Sequence, residues 1–471
     1  MTAVVIVAFD GLQMWQVTRS EMPTLSAFAD DGIRFERHHP VYPSVTRLNA
    51  ASLVTGCYPA THGIAGNRMV FRDYRPASIT NVLEPELRKV DAAIGGRLLL
   101  VPTLAELLAG HDMDYAAVVS GTSGNAYCHA PNAARSGGAT IHPEFCLPDE
   151  LYPMLEMRHG AWPEESVPNT ARLTHATDIF LEYVIGERKS DVGLIWYSEP
   201  DKSQHAHGVA SRVANQALRA ADAEFEQLLG GLHDDTNVLV VSDHGYSTVS
   251  ANIDIDSELR AAGFPPLGEP GGVAGAPNGG TALFYVTESD ITAADALAGW
   301  LMEQPWCGVV LASERVGAIE GALPASLAGI DGERGPDLAA STRWSPPADD
   351  TSSVLTPSFG DMPPPQGDHG CMSRTEMRNT LIARGPAFSS GVRSDVPSGN
   401  IDVAPTVLRL LGIDGAGGMD GRVLMEGLVD GGEAPEVETM TSRASRGAYR
   451  QYLTTSMVAG VRYVDEGNRE G

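Results

Sequence analysis

A chain of 471 residues with 43% hydrophobic content is long enough for one large α/β domain with insertions, or for two domains, around a substantial core. Its formal charge of −27 argues against nucleic-acid binding by counterion release and against anionic membranes, and 51 Gly with 31 Pro fit a loop-rich enzyme better than a helical bundle. The five cysteines (Cys57, Cys128, Cys146, Cys307 and Cys371) include no C-x-x-C pair, which disfavours a disulfide framework or a thiolate zinc knuckle.

The N-terminus runs directly into AVVIVAF at 3–9, an apolar, β-branched run too short for a signal peptide and suited to a strand covered on both faces. No stretch approaches the ~20 apolar residues of a membrane span; the expectation is a reducing, cytoplasmic setting. A helix is predicted from Pro23 through TLSAFADD to Gly32, and a second from Arg47 through LNAASLVTG. Further buried strands are predicted at 115–120, 192–198, 237–242, 282–286 and 379–385, with helices at 104–110, 174–187 and 211–232. This alternation predicts an α/β fold with a mostly parallel central sheet and helices on both faces. Two Pro/Gly-rich spans, 68–173 apart from its strand and 262–367, read as loop or cap insertions. The whole reads as one catalytic domain over 1–430 with a C-terminal extension at 431–471.

Chemistry concentrates where the strands end. Asp10 closes the first strand and precedes Gly11; ligands of open α/β sheets collect at the carboxyl ends of strands, although an Asp starting a turn is equally common. Thr46 lies at the start of a helix, where unpaired N–H groups favour a bound phosphate; an ordinary N-cap is the alternative. Asp201 and His205 follow the strand at 192–198, and their spacing of four places both on one face if the loop turns helically. Asp243 and His244 follow the strand at 237–242, and His369 lies in QGDHG. Each alone could be a turn Asp or a surface His. Together they form a set of carboxylates and imidazoles suited to Zn²⁺ or Mn²⁺ at a two-metal site for phosphoryl chemistry. His62, in YPATHGI, reads as a packing or hydrogen-bonding loop residue.

The motifs FDG, PSVTRLNAASLVTGCYPATHGIAGN, EPDKSQHAHG, SDHG and HG occur in the order of a known family, followed by NIDVAPTVLRLLGI and MDGRVL. In these the chain resembles the alkaline phosphatase superfamily, most closely its nucleotide pyrophosphatase/phosphodiesterase branch. The resemblance implies an alkaline-phosphatase-like domain that hydrolyses phosphodiester or phosphoanhydride bonds of a small phosphorylated substrate, such as a nucleotide, through a phosphothreonine intermediate. It implies two divalent ions, with Zn²⁺ expected and Mn²⁺ the alternative. Asp201, His205 and His369 would hold one; Asp10, Asp243, His244 and Thr46 would hold the other. Thr46 would be the nucleophile, and Asn67 would donate to a nonbridging phosphoryl oxygen.

Three departures bear on specificity. Arg47 stands where diesterases of this type often have an aromatic residue; it could meet a second phosphate or solvate the helix face. SGTSGNAY at 120–127 carries no Lys or Arg to hold a dianion, which favours a monoanionic diester over a monoester. Asp368 precedes His369 where the family often has Thr, and could support or compete with the ligands. A phosphomonoesterase or phosphonate hydrolase of the same superfamily is the alternative, and a non-catalytic metal-stabilised binding protein a more distant one.

Overall fold

The computed structural model describes residues 3–346, 353–414 and 416–471; the stretch 347–352, within the Gly/Pro-rich span 322–367, lies outside the described residues. Nine strands build the main sheet: β1 (Val4–Phe9), β2 (Ile33–Phe35), β3 (Tyr115–Val119), β4 (Ala139–His142), β5 (Phe145–Leu147), β6 (Val192–Tyr197), β7 (Asn237–Val241), β8 (Leu381–Arg384) and β9 (Val392–Ser394). Their order is β9-β2-β8-β7-β1-β6-β3-β4-β5. β1 runs parallel to β7 on one side and to β6 on the other, and β3 continues parallel beyond β6.

The apolar run of β1 has the expected cause. Val4, Ile6 and Ala8 face one core, which also holds Leu48 and Leu53 of the helix Thr46–Thr55 and Val403 and Val407 of Val403–Leu410. Val5, Val7 and Phe9 face the other, with Phe28 of Pro23–Asp31 and Leu218 and Phe225 of Arg212–Gly231. Helices therefore cover both faces. In Arg212–Gly231 the buried residues Ala214, Ala217, Leu218, Ala221, Phe225 and Leu228 fall at helical spacing, and Ser211 caps the start through Ala214 N.

The structure departs from the linear reading in several places. β8, the predicted strand at 379–385, runs antiparallel to β7, and β2 runs antiparallel to β8. Thr281–Val286 is not in the main sheet. It pairs with Val273–Asn278 and Leu338–Thr342 in a second, five-stranded sheet that also contains Cys307–Ala312 and Leu323–Pro324. A fully buried apolar run does not specify which sheet it enters. The span 68–173 supplies β4 and β5 as well as β3, so it is partly scaffold. The helix predicted at 174–187 spans Thr170–Ile179 and continues as a π-helix over Phe180–Arg188. Residues 431–471 form the three-stranded antiparallel sheet Val437–Arg446, Tyr449–Val458 and Val461–Arg469. It is joined to the second sheet: Gln451 Nε2 donates to Val310 O and Gly321 O, and Trp344 Nε1 donates to Gly467 O. No helix among the described residues is long and apolar enough to cross a membrane.

Candidate metal centre and nucleophile

Three adjacent parallel strands, β7, β1 and β6, end at the same edge of the sheet, so the residues just beyond them converge. Asp10 follows β1, Asp243 lies just past β7, and Asp201 opens the short helix Asp201–His207 after β6. Backbone bonds fix their relative positions: Asp10 N donates to Tyr197 O at 3.0 Å and Asp201 N to Asp10 O at 3.0 Å. Gly11 N donates to Asp243 Oδ1 at 3.0 Å. Gly11 takes φ +68°, and a Cβ there would lie 2.7 Å from the Tyr246 ring, so the sharp turn and the close approach both call for glycine.

Two clusters result, Asp201/His205/His369 and Asp10/Asp243/His244, each with its ligand-type atoms within 4.8 Å of one another. They contain six of the seven residues singled out in the sequence as metal ligands; the seventh, Thr46, lies beside the second cluster. His369 arrives separately, on a loop held by the turn of the second sheet. Gly280 N donates to His369 O at 2.9 Å. Gly279, at φ +60°, leaves a Cβ position only 1.7 Å from that carbonyl oxygen.

The hydrogen-bond pattern bears on whether these residues suit cations. His205 Nδ1 lies 3.0 Å from Gly367 O, His244 Nδ1 3.0 Å from Gly245 O, and His369 Nδ1 2.8 Å from Ser44 O. A carbonyl only accepts, so each Nδ1 carries a proton, and in the neutral imidazole each Nε2 presents a lone pair. Those lone pairs face other electron-rich atoms. His205 Nε2 is 3.1 Å from His369 Nε2 and 3.3 Å from Asp201 Oδ1. His244 Nε2 is 3.1 Å from Asp243 Oδ2 and 3.6 Å from Asp10 Oδ1. Asp10 Oδ1 and Asp243 Oδ2 are buried and have no hydrogen-bond partner among the described residues. Unpaired buried carboxylate oxygens facing imidazole lone pairs are unfavourable unless a positive charge lies between them. The donor set therefore fits divalent cations.

The electrostatics express the same strain as a demand for protons. Burial, then the nearby Asp243 and Asp201 charges, push the Asp10 carboxyl well above its usual range. Burial would raise Asp201 too, but the adjacent His205 outweighs it and holds Asp201 low. Burial opposes charge on His205, yet the Asp201 carboxylate raises it to about 9. His369 is pushed well below the ordinary value by burial and by His244 and His205.

Thr46 is the first residue of its helix. Val45, with φ −125° and ψ 153°, is the N-cap, and no side chain performs the capping bond. The N-cap alternative for Thr46 therefore does not describe this structure. Its hydroxyl instead donates to His244 Nε2 at 3.2 Å, at the edge of the second cluster. Asn67 sits beside it: Asn67 Oδ1 accepts from Arg47 N at 3.1 Å, leaving Nδ2 without a hydrogen bond among the described residues. Arg47 does not simply solvate the helix face. Its Nη1 donates to Asn67 O at 2.9 Å and to Asn81 Oδ1 at 2.6 Å, and burial, then Arg68, lower its pKa to about 10. Asp368 lies outside both clusters; its Oδ1 accepts from His369 N at 2.9 Å and its Oδ2 from Ser358 Oγ. His62 is buried and bonded to Ser52 Oγ at 2.9 Å, as its loop context suggested.

Several contributors were missed in the linear reading. Trp196 Nε1 donates to Asp10 Oδ2 at 3.1 Å, and Tyr246 Oη donates to Asp201 Oδ1 at 2.6 Å. Asn278 Oδ1 accepts from Asn67 N at 2.6 Å and from Arg68 N at 3.1 Å. Tyr246 directly follows DHG, so adjacency could have flagged it; Asn278 offers no such signal. Beside Asn67 opens a cavity of about 560 Å³, lined by Arg47, Arg68, Asn81, Asp254 and Asn278 among others. Two arginines, Arg47 and Arg68, thus line this cavity from segments outside 120–127.

A family model described as type I phosphodiesterase/nucleotide pyrophosphatase matches residues 4–304. The chain belongs to that family. Among curated members, a venom phosphodiesterase of Macrovipera lebetinus is 25% identical over 248 residues, covering 51% of this chain and 24% of the relative. An ectonucleotide pyrophosphatase/phosphodiesterase of Caenorhabditis elegans is 22% identical over 422 residues, covering 87% of this chain and 47% of the relative. These matches thus span between about a quarter and about a half of the relatives' own lengths. The fold matches the solved structure of murine ectonucleotide pyrophosphatase/phosphodiesterase 5 in complex with AMP. The TM-score is 0.61 at 18% identity, over 88% of this chain and 96% of that one. This is the α/β, alkaline-phosphatase-like architecture that the family motifs implied.

Proposed function

We propose that this protein is a metal-dependent phosphodiesterase or nucleotide pyrophosphatase that uses Thr46 as its nucleophile. The observation that carries the reading is the convergence of three imidazole Nε2 atoms and three aspartates beside the Thr46 hydroxyl, with every Nδ1–H committed to a backbone carbonyl. Asp201, His205 and His369 would hold one divalent cation, and Asp10, Asp243 and His244 another. Zn²⁺ suits this mixed N/O set, as does Mn²⁺. Bound there, such ions lower the pKa of a coordinated hydroxyl and neutralise charge on the phosphoryl and leaving oxygens.

This chain's own residues do the rest. Thr46 Oγ forms a bond to phosphorus as the bond to the leaving oxygen breaks, and the hydroxyl proton passes to solvent. Asn67 Nδ2 donates to a nonbridging oxygen, with its other amide end pinned by Arg47 N. Water then attacks the phosphothreonine, returning Thr46 and releasing a phosphate monoester. A small nucleotide is the first substrate class to test, because the murine structural neighbour was solved with AMP.

A second reading, a phosphomonoesterase or phosphonate hydrolase, is favoured by one observation: Arg47 and Arg68 line the cavity beside Asn67 and could meet a dianion. Parallel turnover of bis-p-nitrophenyl phosphate and p-nitrophenyl phosphate separates the two. In metal-replete protein, Thr46→Ala is expected to lower turnover by about a thousandfold or more, and undiminished turnover would remove Thr46 as nucleophile.

A further inference from the structure

A second concave surface lies away from both metal clusters. It is a groove of about 810 Å³ between the β1 loop, the segment 374–379 and the C-terminal three-stranded sheet, and no member of either cluster lines it. Its charge runs against that of the chain, because four arginines reach it. Two of them face acids. Arg37 Nη2 donates to Asp465 Oδ1 at 2.9 Å, and Arg34 Nε lies 3.5 Å from Glu36 Oε1. The other two, Arg374 and Arg378, make no hydrogen bond or ion pair among the described residues. Arg374 rests on the Trp344 ring, 5.1 Å from its centroid. Glu466, the remaining acid of the groove, accepts from Tyr452 Oη at 3.4 Å.

The floor of the groove provides an independent sign of a ligand. Gln13 is only 2% exposed, lines the groove, and has an Nε2 with no hydrogen-bond partner. Asn379 is 3% exposed and its Oδ1 is likewise unpartnered. Buried amide groups in folded proteins are almost always satisfied, by protein or by something bound. At the rim, Trp15 also lines the groove and is 53% exposed, an aromatic face open to stacking.

We propose that this groove binds a small tetrahedral oxyanion carrying a planar group, at a site distinct from the metal centre. Arg374 and Arg378 supply charge-assisted donors, Gln13 Nε2 a buried neutral donor, and Trp15 the platform for the planar group. The site adjoins the catalytic edge: Gly245 N, in the loop that carries Asp243 and His244, donates to Glu376 O at 3.0 Å within the segment that forms one wall.

The test is calorimetric titration of the full-length, metal-replete protein with inorganic phosphate and with phenylphosphonate, a non-hydrolysable aryl probe. Two binding events are expected, one removed by chelation and one not. Arg374→Ala/Arg378→Ala should weaken the chelation-resistant event by at least about tenfold while leaving the other in place. Phenylphosphonate should bind the groove more tightly than phosphate, and Trp15→Ala should erase that preference. An unchanged isotherm in the double arginine variant, or a single event abolished by chelation, overturns the proposal. Equal affinity for the two probes overturns the planar-group part. A chelation-resistant event with no chelation-sensitive one would instead count against the metal-centre reading and leave the groove standing.

Discussion

Replacing Asn278 with Ala probes a support of the site that is remote in sequence. Asn278 is 2% exposed, and its Oδ1 accepts from Asn67 N at 2.6 Å and Arg68 N at 3.1 Å. Its Nδ2 donates to Arg68 O at 3.0 Å and to Ala276 O at 3.1 Å. Truncation strips two backbone donors of their acceptor and two carbonyls of a donor. Each lost bond is worth about 1 kcal/mol net, and a buried donor left unpaired about 1–3 kcal/mol, so the Asn67 arm loses roughly 2–4 kcal/mol of ordering. A displacement of about 1 Å at a transition-state contact lowers rate by about 100-fold. The expected outcome on bis-p-nitrophenyl phosphate is a kcat lower by about 10- to 100-fold, with KM moving less than about threefold, because the Asn67 contact is assigned to the transition state. If Asn278 acts through Asn67, the Asn67→Ala/Asn278→Ala double variant should be no slower than Asn67→Ala to within about twofold. A kcat for Asn278→Ala near wild type, or fully multiplicative losses in the double variant, would refute the reasoning.

Tyr246→Phe removes the 2.6 Å hydrogen bond to Asp201 Oδ1 while keeping the ring. Metal affinity, measured by competition with a chromogenic chelator, should fall by about 10- to 100-fold, and exhaustive chelation of the wild type should abolish turnover; unchanged affinity would show that Asp201 is oriented by other contacts. Burial lowers His38, His62 and His129 to about 3 and His142 to about 4, far below the ~6.5 of an unfolded chain. Between those limits the unfolded state takes up more protons than the folded one, so stability falls as pH drops from about 6.5 toward 3, by at most ~1.4 kcal/mol per pH unit for each histidine. Urea denaturation of His62→Gln across that window should show a shallower pH dependence than wild type, by up to one proton; parallel curves would mean that His62 is not held neutral.

Much of the site was legible because its chemistry sits next to strong local signals. Asp10, Asp201 and Asp243 each follow a buried apolar run, and adjacent parallel strands bring such positions together. His205 is four residues from Asp201 on one short helix, so their proximity is local. The supporting contacts were not legible, because they are long-range. Trp196 reaches Asp10, Ser44 O receives His369 Nδ1–H, and Asn278 holds Asn67, each across far more chain than any pattern spans. The arginines beside Asn67 were hidden for the same reason. A basic residue missing from 120–127 says nothing about Arg47 and Arg68, which line the cavity from other segments.

By itself, the order of residues determined the strand and helix runs around β1, β6 and β7, the glycine at position 11, and the inventory of carboxylates, imidazoles and one hydroxyl. These follow from hydrophobic periodicity and from side-chain chemistry, which are local properties. Only the tertiary structure decided which sheet Thr281–Val286 joins, that β8 runs antiparallel, and that Thr46 is not a cap. It also decided that all three histidines turn Nε2 inward, because each Nδ1 finds a backbone carbonyl that only the folded chain places there.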